Sequence, residues 1–165
     1  MMKKKSERSL KGGSARYFVG IAAEGEATAY YEEICRMLAA RFGVRNLAEY
    51  IPPHITLIPP FDAKEKPAAP RFSREYSFRV SGFGRFGARV CFMRVFLPEE
   101  MRRECADIAG GRNIKPHISV ARFMDERTGG RVWRHLSRLS VHDYECRTSG
   151  ASVFVFENGR WRIAE

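Results

Sequence analysis

Apolar positions along the chain switch between two periods, and the switches mark its elements. The run Tyr17-Phe18-Val19-Gly20-Ile21 predicts a strand over 15–23. Over 24–42, Ala27, Tyr30, Tyr31, Ile34, Leu38 and Phe42 recur at helical spacing, and Gly43 is placed to end the helix. A short strand around Ile55 and Leu57 follows, with Pro52-Pro53 before it and Pro59-Pro60 after. Proline cannot donate a ladder hydrogen bond, so the two pairs are expected to bracket that strand. Residues 62–70 predict a polar loop. Segments 76–81 and 88–96 predict paired strands joined by Gly82-Phe83-Gly84-Arg85-Phe86-Gly87 as a hairpin turn. Over 98–109, Pro98 starts a helix, Glu99 and Glu100 suit its positive first turn, and Met101, Cys105 and Ile108 form its apolar stripe. A second aliphatic strand is expected over 114–123 and a loop over 125–130. Val132, Trp133, Leu136 and Leu139 then mark a third helix. A strand at 144–148 is followed by 152–156 and 160–163, which flank Asn158-Gly159, a strong two-residue hairpin signal.

Two of these strands carry the same five-residue pattern. One reads Pro53-His54-Ile55-Thr56-Leu57 and the other Pro116-His117-Ile118-Ser119-Val120. Side chains alternate across a strand, so His54 shares a face with Thr56, and His117 with Ser119, while the aliphatics point into a core. Strand–helix–histidine strand occurs early, and hairpin–helix–histidine strand occurs late. The order implies an internal duplication and an α+β fold. It is expected to be bilobal, with two pseudo-symmetric antiparallel sheets and flanking helices around a central cleft whose walls are the motif strands.

Composition narrows the class. An apolar fraction of 44% with 12 Phe, 6 Tyr and 2 Trp excludes a disordered chain. A formal charge of +10 favours an anionic partner, most simply a nucleic acid. Residues 1–14 read as a flexible basic arm, and 15–165 as one bilobal domain. No apolar run is long enough for a membrane span, and the run at 17–23 is too short for a signal peptide. Cys35, Cys91, Cys105 and Cys146 lack zinc-like spacing and read as buried thiols in a reducing compartment, hence a cytoplasmic protein, expected to be a monomer.

Two imidazoles on opposite walls suit general acid–base work on a phosphodiester held between them. One takes a proton from an attacking oxygen while the other gives one to the leaving oxygen. The Thr56 and Ser119 hydroxyls can donate to the non-bridging phosphate oxygens. Neither a metal nor a cofactor is required. A lone buried histidine is usually structural, and the repetition of the pattern is what argues otherwise. Zinc held by His54, His117, His135 and His142 is disfavoured because no carboxylate or cysteine lies at ligand spacing. The segment from Gly82 to Gly87 matches Gly-x-Gly-x-x-Gly literally, but a strand rather than a helix follows, so it is not a dinucleotide site. Ser81 stands where an RNA-binding aromatic strand of the RRM type needs a basic residue.

With His-x-Thr and His-x-Ser present once per half, the chain resembles the two-histidine (2H) phosphoesterase superfamily, in its 2′-5′ RNA ligase / RNA 2′,3′-cyclic phosphodiesterase branch. The resemblance implies two α+β lobes around a cleft and metal-independent opening of 2′,3′-cyclic phosphates on RNA or small nucleotides, usually leaving a 2′-phosphate. It implies His54 and His117 as catalytic residues and Thr56 and Ser119 as phosphate-binding ones. It suggests that His117 activates water and that His54 protonates the departing 3′ oxygen, with near-symmetry permitting the reverse. Arg122 matches a basic residue the family often carries. Five positions past His117 it falls on the wrong strand face, so a bulge or the strand's end is needed to bring it to substrate. Phe18 and Phe61 are candidate base-stacking residues. A 2′-5′ RNA ligase and a non-catalytic RNA- or nucleotide-binding module are the alternative readings.

Overall fold

The computed structural model describes residues 13–165, so nearly all of the expected basic arm lies outside the described residues. The elements are β1 (Ala15–Ala22), α1 (Glu26–Phe42), β2 (His54–Ala63), β3 (Arg71–Phe86), β4 (Val90–Phe96), α2 (Glu99–Ile108), β5 (His117–Ala121), α3 (Glu126–Leu136), β6 (Asp143–Gly150), β7 (Ser152–Glu157) and β8 (Arg160–Ile163). The order is the expected one. The strands form two antiparallel four-stranded sheets, β2-β1-β7-β8 and β5-β4-β3-β6, making a mixed α+β fold. Both histidine strands are sheet edges, and the two edges approach each other.

The helices tie the halves together by crossing. Helix α1, which links β1 to β2, packs against β5; α2, which links β4 to β5, packs against β2. Helix α1 buries Ala27, Tyr31, Ile34, Cys35 and Leu38 and ends at Gly43, whose left-handed φ of 68° lets its N–H reach the Ala39 carbonyl. The apolar faces of both sheets meet in one core that includes Ile21, Met93, Val120, Leu136 and Phe154. Its sequence basis is the two-residue alternation of the strands, each hiding one face. All four cysteines are buried and free, and burial pushes the Cys35 thiol up to about 12.

Several boundaries differ from expectation, among them β3, which starts at Arg71, and β5, which covers only His117–Ala121; three have a local reason. Strand β2 does not stop before Pro59-Pro60 but runs through them to Ala63. The register with β1 passes from Val19↔Ile58 to Tyr17↔Phe61, so the prolines occupy a bulge on an edge strand, where no ladder donor is missed. The stretch from Gly82 to Phe86 is strand β3 rather than turn, with a bulge at Gly82 (φ 72°), and the turn begins only at Gly87. Helix α3 starts at Glu126 and so includes Gly129 and Gly130, which the sequence assigned to a loop. Asp125 caps it, accepting from the Thr128 N–H at 2.8 Å. Glycine is required at 129 because a Cβ there would lie 1.6 Å from the Ala88 carbonyl oxygen.

Candidate active site

The two histidines are held in the same way. The His54 Nδ1–H donates to the Pro52 carbonyl at 2.9 Å, and the His117 Nδ1–H donates to the Lys115 carbonyl at 2.7 Å. In each case the acceptor belongs to the residue two positions earlier. A carbonyl can only accept, so in each ring Nδ1 carries the proton of that bond and Nε2 is the nitrogen left free of the backbone. Each ring also packs against a pair of aromatics that touch each other. His54 lies 4.7 Å from Phe18 and 5.5 Å from Phe154, centroid to centroid. His117 lies edge-on to Phe86 at 4.8 Å and to Phe92 at 5.3 Å. The duplication read from the motifs therefore extends to their supports.

Thr56 and His117 line one cavity of about 480 Å³, together with Pro59, Phe86, Arg112 and Lys115. The two motif strands thus border one space, which His54 and Ser119 do not line. His54 Nε2 is 3.1 Å from the Thr56 hydroxyl, which donates to it when the ring is neutral. His117 Nε2 and the half-buried Ser119 hydroxyl make no hydrogen bond to a described residue.

The His54 imidazole is held well below its usual range, at about 4. Burial is the main cause, partly opposed by the bond to Pro52; the positive charge of Arg122 and the neighbouring His117 push it further down. At neutral pH His54 is uncharged.

Arg122 comes to the histidine side of β5 by a bulge. Phe92 pairs with Ser119 while the adjacent Cys91 pairs with Ala121, which leaves Val120 as the extra residue. Val120 and Ala121 are consequently both buried, at 0% and 1% exposure, and the alternation restarts one residue out of phase. The strand then ends, and Phe123 turns the chain away with φ 59°. The Arg122 Nε is buried without a hydrogen-bond partner among the described residues. Burial and Arg45 lower the guanidinium pKa, and the Tyr31 phenol opposes them. A half-buried guanidinium whose buried Nε has no partner, beside a neutral imidazole, is a site suited to an anion.

The two candidate stacking residues fall elsewhere. Phe18 is 2% exposed and stacked at 4.4 Å on Phe154, with Trp161 edge-on at 4.8 Å, so it offers no open face to a base and instead seats the His54 ring. Phe61 is half-buried against Tyr17 at 6.3 Å. Sequence reasoning missed Phe86, Phe92 and Phe154; their signal is only an aromatic in a strand, which core residues share. Among the described residues no three His, Cys, Asp or Glu side chains gather as a metal site. No helix there is long and apolar enough to cross a membrane.

Two antiparallel sheets whose facing edges each present a histidine and a hydroxyl are the arrangement of the two-histidine phosphoesterases. A family model described as the 2′-5′ RNA ligase superfamily matches residues 36–160, which span both motifs, and the chain belongs to that superfamily. No curated protein matches the sequence. Similar solved structures include E. coli LigT in apo form, at 14% identity over 93% of this chain and 95% of that one with a TM-score of 0.45. E. coli LigT complexed with phosphate is also similar, at 14% identity over 93% and 94% with a TM-score of 0.42.

Proposed function

We propose that this chain is a phosphodiesterase that opens 2′,3′-cyclic phosphate ends of RNA, or small cyclic nucleotides, by proton transfer through His54 and His117. The observation that supports this most is the matched pair of imidazoles, each with Nδ1 fixed on a backbone carbonyl, and the half-buried Arg122 near His54, whose Nε has no partner among the described residues.

The lowered pKa of His54 supports one direction of proton transfer. Against an ordinary imidazole near 6.5, a pKa of about 4 makes its protonated form roughly 300-fold rarer. His54 is therefore the proton acceptor, the reverse of the assignment the family resemblance suggests. Its Nε2 takes a proton from water as the water oxygen bonds to phosphorus. The bond from phosphorus to the 3′ oxygen breaks, and the His117 Nε2 gives a proton to that oxygen, leaving a 2′-phosphate. Arg122 neutralises the phosphate. The Ser119 hydroxyl, and the Thr56 hydroxyl once it turns from His54, donate to the non-bridging oxygens, whose charge grows in the transition state. Each positioned proton-transfer group is typically worth about 10²–10⁴ in rate.

A 2′-5′ RNA ligase would use the same groups, with a ribose hydroxyl replacing water, as the superfamily's description allows. The test is incubation of a short RNA ending in a 2′,3′-cyclic phosphate with the wild-type chain in EDTA, with products followed by ³¹P NMR. Ring opening to a 2′-phosphate is expected. Joined RNA would favour the ligase reading, and an intact ring on both RNA and a cyclic mononucleotide would sink the catalytic one.

A further inference from the structure

The face beyond Arg122 carries cations and aromatics that the hydrolytic chemistry does not use. Five arginines of the described chain pair with carboxylates: Arg74 with Glu100, Arg79 with Asp143, Arg103 with Glu99, Arg147 with Glu75 and Arg162 with Glu157. Where α1 meets α3 the pattern is different. The guanidinium groups of Arg41 and Arg131 lie 5.9 and 5.6 Å from the Phe42 ring centroid, and His135 meets the same ring edge-on at 5.6 Å. Arg45 follows at the end of α1 and is close enough to Arg122 to lower its pKa. Arg41, Arg45 and Arg131 are exposed and have no carboxylate partner among the described residues. The negative end of α1 accounts for one cation in its last turn, not for three. Helix α1 packs against both β5 and α3, and Arg45 links this strip to Arg122.

We infer that the strip formed by Arg45, Arg41, Phe42, Arg131 and His135 holds the single-stranded RNA leading to the cyclic phosphate, so that the substrate is an RNA end rather than a free nucleotide. This rests on the reading of the site as a cyclic phosphodiesterase. Arginines laid across an aromatic ring suit a single strand, because its phosphates meet the cations and its bases have open faces to stack. A folded acidic protein would match the charge but offer no row of bases for the guanidinium planes to stack on.

The test compares kcat/KM on a 2′,3′-cyclic mononucleotide and on a ten-nucleotide RNA with the same end, for wild type and for the triple variant Arg41→Gln, Arg45→Gln, Arg131→Gln. Turnover of the mononucleotide is expected to stay within about twofold. Turnover of the RNA at low salt is expected to fall roughly tenfold or more, as three phosphate contacts are lost. In anisotropy titrations the slope of log affinity against log salt should shrink by about 2, at about 0.7 per contact on a single strand. Equal losses on both substrates, or an unchanged RNA rate and slope, would overturn the inference. So would binding of anionic vesicles as tightly as the RNA. If neither substrate turns over, the hydrolytic reading fails, and the salt slope alone then decides the strip.

Discussion

Replacing Arg122 with methionine should make the protein more stable and its site worse. The guanidinium Nε is buried without a partner, and its charge is disfavoured by burial and by Arg45. An unsatisfied buried polar group costs about 1–3 kcal/mol, and exchanging a buried charge for an apolar group of similar volume is commonly neutral or stabilising. Methionine keeps the length of the stem and its packing. A gain of about 1–2 kcal/mol is expected, or roughly 2–8 °C in Tm for a chain of this size. The same exchange removes hydrogen bonds from a cation to the bound phosphate, each worth about 1.5–3 kcal/mol, so inorganic phosphate should bind roughly tenfold to 150-fold more weakly. The His54 pKa should rise as well, because Arg122 helps to hold it down. Urea unfolding followed by Trp133 and Trp161 fluorescence measures the first effect, and calorimetric titration with phosphate the second. A loss of stability of 1 kcal/mol or more would mean that Arg122 is a structural residue. Undiminished phosphate affinity would remove it from the site.

Two further outcomes follow from the same geometry. The folded-state pKa of His54 lies below its unfolded value, so between about pH 6.5 and 4 the unfolded chain binds a proton that the folded one does not. Stability should therefore fall as pH drops through that window, by at most about 3 kcal/mol, and His54→Asn should flatten this part of the profile in pH-dependent urea melts. Gly129→Ala should destabilise by about 1–3 kcal/mol or more, since its Cβ would meet backbone at Ala88 that cannot yield; an unchanged melting temperature would show that the α3–β4 turn contact is absent in solution.

Much of this architecture was legible in the sequence because the signals were local. The alternation around His54 and His117 gave two strands with the working side chains on one face. Asn158-Gly159, with φ of 51° and 79°, made the expected hairpin between β7 and β8. The misses came where tertiary contact outweighs local preference. Gly129 and Gly130 read as a loop, yet helix α3 needs glycine at 129 to pass the Ala88 carbonyl. Pro59 and Pro60 read as a stop, yet an edge strand with a bulge tolerates them. Parity put Arg122 on the far face of its strand unless a bulge or the strand's end intervened, and only the pairing of Cys91 and Phe92 with β5 reveals that a bulge does. Phe18 shows the limit from the other side. An aromatic near a motif suggests a stacking platform, and only its 2% exposure shows that it is the wall behind the histidine.

That one imidazole accepts a proton while the other donates one is tested by a two-substrate comparison of His54→Ala and His117→Ala in EDTA. One substrate is a short RNA with a 2′,3′-cyclic phosphate, whose ribose leaving group needs a proton. The other is a p-nitrophenyl phosphodiester, whose leaving group departs as a stable anion. Both variants should lose the RNA reaction, and the aryl substrate should restore turnover to His117→Ala but not to His54→Ala. Turnover of the cyclic phosphate near the wild-type rate by either variant, with folding intact, would contradict the two-histidine account, and rescue of His54→Ala alone would reverse the roles assigned to the pair.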